Sequence, residues 1–371
     1  MSPRPAKSAR PAPPSPSPAP APAPAPTLPD GDAADGGLQA DAGRLTMADL
    51  AAKAQVSIIT VSRALRDSPA VREDTRRRIQ ELAREMGYRF NATARNLRLQ
   101  RSHTIAVVVD MTPSPERPMS GPFPLDLLGG ICQELTVAGY NVLLTTGPSQ
   151  PAAAVQAADG AILLGQGADD TAVRQLLPMG VPLVVWGAPQ PDMGSGATAP
   201  VFVGSDNHQG GALAAARLLE TGRRRLVFLG DTHHRENAER LHGFTQTLAA
   251  AGAALVALAP CDFTFNAGVA AVRGLLATTP GGFDGIFACS DAIALGAMRA
   301  LTEAKLTVPD DVSVIGYDDT PMAAFNTPAL TSVHQNWTEG GVRLAQSVLA
   351  LINGERPGSL ILPTRLVVRA T

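Results

Sequence analysis

Side chains able to do covalent or metal chemistry are sparse in this chain and poorly placed for it. The six histidines show no metal-ligand spacing, and the adjacent His233 and His234 read as a solvated loop pair. The three cysteines, Cys132, Cys261 and Cys289, are odd in number and widely separated. They suggest no disulfide framework and no C-x-x-C pattern, and their apolar or small-residue surroundings suit buried packing thiols. No G-x-x-x-x-G-K-[ST] loop, no G-x-G-x-x-G opening a helix and no H-E-x-x-H is found. What is concentrated is positive charge. From Arg44 to Arg101 there are 13 Arg and Lys against 6 Asp and Glu, whereas from Ser102 onward there are 15 against 23. A formal net charge of −2 therefore conceals a basic module joined to an acidic body. Cationic groups massed on a small segment neutralise phosphates, which points to nucleic acid; a solvated charged helix face is the bland alternative.

The elements that must carry those charges are short helices. Thr46 can cap a helix over Met47–Ala54, and Ser57 one from Ile58 to about Leu65. A third runs from about Glu73 to Met86, with Ile79, Leu82, Ala83 and Met86 on one face and Gly87 as a left-handed stop. Three helices in so few residues, the first two joined by a three-residue turn, form a helix-turn-helix module at 44–90. Ahead of it, residues 1–43 are almost wholly Pro, Ala, Ser, Gly and Asp. Such a segment has no core to bury and is expected to be a disordered tail.

Beyond Ser102 short β-branched runs alternate with helical stretches. Strands are expected at Thr104–Asp110, Val142–Thr146, Ala161–Leu164, Leu183–Trp186, Val201–Val203, Leu226–Leu229, Leu255–Leu258, Gly285–Ala288 and Val312–Gly316. An α/β doubly wound region of this size divides naturally into two similar subdomains with a cleft between them, and ligands sit beyond the carboxyl ends of the strands. Only Gly147 to Gly160 separate the second and third strands, so the helix there is shortened or lost. With aromatic residues at 4%, the core rests on Ala, Val, Leu and Ile. There is no apolar leader and no apolar run of membrane-spanning length, so a cytoplasmic protein is expected.

The segment Val56-Ser57-Ile58-Ile59-Thr60-Val61-Ser62-Arg63, with Thr75-Arg76 and Gly87-Tyr88 downstream, resembles the DNA-binding headpiece of the LacI/GalR family. The resemblance extends from about Leu45 to Arg369. It implies that Ser57, Ile58, Ile59, Thr60, Ser62 and Arg63 sit on a recognition helix in the major groove. Thr60 and Ser62 can bond phosphates or base edges, Arg63 can pair with guanine, and the isoleucines can touch thymine methyls. Residues 91–98 resemble the family's hinge helix, within a hinge helix and linker at 91–102: Leu97 matches its minor-groove wedge, with Asn91, Arg95 and Arg98 beside it. Phe90 stands where the family usually has proline.

The body, 103–371, resembles the effector domain that the family shares with periplasmic sugar-binding proteins. It divides into an N-subdomain, about 103–204 and 333–362, and a C-subdomain, about 205–332 and 363–371. The resemblance implies that Arg240 and Asp318 grip ligand hydroxyls and that Ser290 and Asp291 face the cleft. Phe123, Trp186, Phe263 and Trp337 become stacking or wall residues, with core packing the alternative for each. Asp319 is a turn cap in the bland reading, and Asp206-Asn207 cap the helix that follows. Gly187-Ala188-Pro189 stand where many relatives place an aspartate. The implied function is a cytoplasmic, nucleoid-associated regulator: a repressor of carbohydrate genes, binding operator DNA as a homodimer or tetramer under a sugar effector, with no cofactor and no membrane. A purine effector, a non-regulatory sugar-binding protein and an enzyme using the cleft are the alternatives.

Overall fold

The computed structural model describes residues 45–88, 101–147, 151–167, 169–189, 193, 199–279 and 282–371. The tail expected at 1–43 and the hinge residues Asn91, Arg95, Leu97 and Arg98 lie outside the described residues, as does Phe90. The chain falls into two units, one ending at Phe90 and one beginning at Asn91.

In the first unit, helix α1 (Met47–Ala54) opens on a reciprocal cap: Thr46 Oγ1 accepts from the Asp49 amide and Asp49 Oδ2 from the Thr46 amide. It stops where Gln55 turns left-handed at φ 54. Helix α2 (Ile58–Ala64) starts on Ser57, whose Oγ accepts from the Thr60 amide at 3.1 Å. Helix α3 (Glu73–Glu85) puts Glu73 and Asp74 in its first turn, where the helix dipole favours acids. Leu50, Val61 and Ile79 are fully buried between the three helices, with Ala54, Ala64 and Ala83 around them. Helix α3 also satisfies the ends of the other two: Arg78 donates to the Ala54 carbonyl at 3.2 Å and Gln80 to the Ala64 carbonyl at 3.0 Å. The orientation of α2 is thus set by a shared apolar core and by its carbonyl end.

The second unit has two lobes, each a six-stranded sheet. Lobe one holds β1 (Thr104–Val109), α4 (Pro122–Val137), β2 (Asn141–Thr146), α5 (Pro151–Gln156), β3 (Gly160–Leu164), α6 (Thr171–Leu176), β4 (Leu183–Trp186) and β5 (Val201–Ser205). The chain then crosses to lobe two for α7 (Asn207–Glu220), β6 (Arg225–Leu229), α8 (Arg235–Ala250), β7 (Ala254–Ala259), α9 (Phe265–Thr278), β8 (Gly285–Ala288), α10 (Asp291–Glu303), β9 (Ser313–Asp318), α11 (Pro321–Phe325) and β10 (Thr331–His334). It returns for α12 (Trp337–Ile352) and β11 (Leu360–Leu362), and ends in lobe two with β12 (Arg365–Val367). Sheet orders are β11-β5-β4-β3-β1-β2 and β12-β10-β9-β8-β6-β7. Pairing is parallel throughout except β10 with β12.

Strands buried on both faces divide their side chains between two layers. In lobe one Ile105, Val107 and Val109 of β1 face α4 and α12, whereas Ala106 and Val108 face α5 and α6. Lobe two has a single core whose centre is aromatic: Phe287 lies 5.4 Å from Phe228, 5.0 Å from Phe244 and 6.2 Å from Tyr317. Among the described residues no helix is long and apolar enough to cross a membrane.

Three strands escape sequence reasoning. Strands β11 and β12 have three residues each, too few for a period to show, and β10 reads Thr331-Ser-Val-His334, without the apolar run that marks β4 and β8; tertiary pairing makes all three strands. The segment between β2 and β3 carries the six-residue α5, which leaves Leu143 and Leu144 of the edge strand β2 exposed. Cys132 departs from its expectation: it is exposed on α4, whereas Cys261 is half-buried and Cys289 buried.

Candidate functional site

Two surfaces collect the candidate residues. On the first unit the amino end of α2 projects them outward. Val61 and Ala64 anchor the helix, and the opposite face carries Ile58 and Ile59 at 51% and 63% exposure. Exposed β-branched side chains on a short helix gain nothing from folding, so their place suits contact with another surface. Ser57 is exposed too, but its hydroxyl is engaged as the α2 cap and bonds Thr60 Oγ1 at 2.9 Å. Ser62 and Thr60 are half-buried and Arg63 is exposed on the last turn. Ser57, Ile58, Ile59 and Thr60 form the cap and first turn of α2, and Ser62 and Arg63 follow on its second.

On the second unit a cavity of about 590 Å³ opens between the lobes. Both sheets reverse strand order where β1 meets β3 and where β6 meets β8, and at such a switch the loops diverge and leave a crevice. The cavity lies there. Asp110, following β1, and Gly165 to Gly167, following β3, line it from lobe one; His234, following β6, and Ser290, following β8, line it from lobe two. Seven of the eight expected effector residues are in its wall: Phe123, Trp186, Arg240, Phe263, Ser290, Asp318 and Trp337.

The eighth, Asp291, is a correction. It is 1% exposed and does not line the cavity; its Oδ1 accepts from Ser332 Oγ at 2.6 Å and its Oδ2 from the Thr320 amide and hydroxyl at 2.6 and 2.9 Å. The carboxylate braces the turn after β9, and burial pushes its pKa up despite those bonds. Ser290 does face the cavity while capping α10 through the Ile293 amide.

Arg240, on α8, is 6% exposed and rigidly held. Nε donates to Asn207 Oδ1 at 2.9 Å, and Nη1 to the Cys289 carbonyl at 2.6 Å and to Asn237 Oδ1 at 3.4 Å. Its guanidinium carbon stands 3.7 Å from the centre of the Tyr317 ring, a cation–π stack inside the lobe. Burial opposes its charge, while Tyr317 and Asp318 favour it. Asp318 closes β9 with φ 108 and accepts from Gln335 Nε2 at 2.8 Å. Burial raises its pKa, nearby Asp291 adds to the rise, and Arg240 counteracts it. A buried cation and a half-buried acid thus face one cavity, each held by protein amides.

The aromatic walls lie on both lobes. Trp337 and Phe123 meet edge to face at 5.7 Å on lobe one, near Trp186. Phe263 on lobe two stacks edgewise on His234 at 5.3 Å. The Trp337 indole N–H and the Ser205 hydroxyl are buried without a protein partner, and both residues line the cavity. Orphan donors in a cavity wall are groups a ligand can satisfy.

Several wall residues escape sequence reasoning. Asn207 is not the helix cap: Asp206 caps α7 through the Gln209 amide, and Asn207 turns inward to hold Arg240. His233 is exposed as expected, but His234 lines the cavity. Asp319 is no turn cap; it pairs with Arg369 at 2.6 Å and with His334 at 3.1 Å. Gln166, Asn237 and Gln335 also line the wall, and nothing in their spacing signals it.

Residues 46–91 match the bacterial regulatory proteins of the lacI family, and residues 215–371 match the periplasmic binding protein-like domain. The HTH-type transcriptional regulator CelR of Thermobifida fusca is 36% identical over 340 residues, covering 88% of this chain and 98% of that protein. A solved CelR–cellobiose complex aligns with a TM-score of 0.66 at 33% identity. The Lac repressor dimer bound to operator and the anti-inducer ONPF aligns with a TM-score of 0.76 at 25% identity. Each structure match covers 88% of this chain and 99% of the other.

Proposed function

This chain belongs to the LacI family of bacterial transcription regulators, and from that premise we propose that it represses carbohydrate uptake or catabolism genes under the control of a sugar held between its lobes. The observation that carries the sugar reading is the composition of the cavity: Arg240 and Asp318 beside aromatic faces on both walls. A sugar ring offers hydroxyls for charged partners and a C–H face for aromatic ones, and it needs both in one place. Three of the five Arg240 N–H donors are held by Asn207, Asn237 and Cys289, so two are left for ligand oxygens. The relative's complex with cellobiose makes a glucose-containing disaccharide the first ligand to try.

In this proposal Ser57, Ile58, Ile59, Thr60, Ser62 and Arg63 read the major groove. Asn91, Arg95, Leu97 and Arg98 serve as the hinge that enters the minor groove, and two copies bind one pseudo-palindromic operator. Residues 44–90 are the DNA-binding domain and 103–371 the effector domain. The N-subdomain spans about 103–204 and 333–362, and the C-subdomain about 205–332 and 363–371. The protein works in the cytoplasm, on the nucleoid, and its cavity binds without catalysing. A sugar changes operator affinity only by its preference for one arrangement of the lobes. The test is operator binding by fluorescence anisotropy with the full chain, titrated with cellobiose. A cellobiose-dependent shift in operator affinity is expected; no operator binding at low salt under any ligand overturns the regulator reading.

A further inference from the structure

The lobe-one wall of the cavity is organised around one side chain that sequence reasoning passed over, Gln166. It lines the cavity although only 1% of its surface is exposed. Its neighbours Gly165 and Gly167 adopt φ 95 and 65, which side chains rarely tolerate. Both lie against Asp110: a Cβ on Gly167 would stand 2.9 Å from Asp110 Oδ2. From this tight turn the Gln166 side chain reaches the residues after β4. Oε1 accepts from the Ala188 amide at 2.6 Å, and Nε2 donates to the Ala188 carbonyl at 3.0 Å and to Asp170 Oδ1 at 3.1 Å. Only this orientation of the carboxamide satisfies one N–H and two acceptors. Gly187 makes the room, because a Cβ there would overlap Oε1, Cδ and Cγ of Gln166.

We propose that Gln166, seated by Gly165, Gly167 and Gly187, is the specificity-determining residue of this wall, a fixed neutral acceptor that selects uncharged sugars over sugar acids. The inference rests on the sugar reading above. Both amide hydrogens and one Oε1 lone pair are engaged, so the carboxamide offers a ligand one lone pair. A hydroxyl fills that lone pair, whereas a carboxylate oxygen repels it. Asp110 stands beside the same turn; burial, then Asp169, raises its pKa, while His234 and Arg117 counteract the rise.

Calorimetric titration of the full-length protein with cellobiose, ribose and gluconate tests this. Wild type is expected to bind a neutral sugar at least tenfold more tightly than gluconate. Gln166→Ala and Gly187→Ala should each weaken the neutral sugar about 5- to 100-fold and narrow its advantage over gluconate. The double variant should be no weaker than Gln166→Ala, since Gly187→Ala acts by displacing the carboxamide. Should Gly187→Ala fail to fold, Gln166→Ala decides alone: a purely structural role scales all ligands together and leaves their ratio unchanged. An unchanged ratio, additive losses, or a wild type that prefers gluconate overturns the proposal. A wild type that binds none of the three overturns the sugar reading and this inference with it.

Discussion

Replacing Arg240 with lysine separates its two roles, holding lobe two together and gripping ligand. Lysine keeps the charge but loses the planar fork and the flat face on Tyr317. For the ligand, one charge-assisted hydrogen bond is worth about 1.5–3 kcal/mol, which is roughly a 10- to 150-fold rise in Kd. For the fold, the variant loses the contacts to Asn207, Asn237 and Cys289 and the 3.7 Å stack on Tyr317. Leaving a buried acceptor unpaired costs about 1–3 kcal/mol, and a desolvated cation–π contact about 2. A residual bond from lysine offsets part of this, so a net loss of about 3 kcal/mol is expected, on the order of 5–10 °C in melting temperature. Calorimetry with cellobiose reads the first effect, and differential scanning calorimetry of the apo protein reads the second. Headpiece operator affinity without sugar should hold at temperatures where the variant is folded. A folded Arg240→Lys protein that binds cellobiose as tightly as wild type would refute the reasoning. So would one whose melting temperature does not move, since the stacked and bonded guanidinium would then contribute nothing to lobe two.

The exposed and buried faces of α2 should respond oppositely. Ile59→Ala, at an exposed site, should change stability by less than about 0.5 kcal/mol but weaken operator binding about tenfold by anisotropy. Val61→Ala, at a buried one, should destabilise the first unit by about 1–3 kcal/mol in urea, with operator binding following the folded fraction. Asp318 gives a pH signature. Its raised pKa means that the folded state prefers the protonated acid, so its unfavourable contribution appears as pH rises above the unfolded carboxyl value near 3.9. Asp318→Asn should therefore raise the apo melting temperature at neutral pH. Ligand hydroxyls donate to the ionised form, so sugar affinity should fall as pH drops through that raised pKa, and Asp318→Asn should weaken binding and flatten this dependence in calorimetry. Asp291→Ala strips the acceptor from Ser332 and Thr320 and should cost about 1–3 kcal/mol for each buried donor left unpaired, measured as a lower melting temperature; an unchanged value would contradict its bracing role.

Much of this protein was legible in its sequence because much of it is local. Thr46 and Ser57 cap helices through amides three residues away, and Gly87 stops one by its own φ, so those boundaries follow from neighbours alone. Nine strands showed as β-branched or apolar runs, which central parallel strands buried on both faces favour, although the edge strands β2 and β7 keep exposed positions. Seven cavity residues were reached by resemblance, which transfers positions but not contacts. Contacts made across the chain were decided by tertiary structure. Asn207 and Arg240 are 33 residues apart, and α8 packing against α7 brings them to 2.9 Å. Asp291 looks like a ligand group at the end of a strand, yet Ser332, 41 residues on, takes its carboxylate. Gln166 reaches Ala188 only because Gly187 has no side chain, a vacancy visible once β3 and β4 lie side by side. Sequence by itself determined where helices begin, which strands are buried and which family the chain resembles, since those depend on neighbouring residues or on whole motifs. Only the tertiary structure decided which polar groups face the cavity and which hold each other, because a hydrogen-bonding group has no preference between ligand and protein until the fold places one within 3 Å of it.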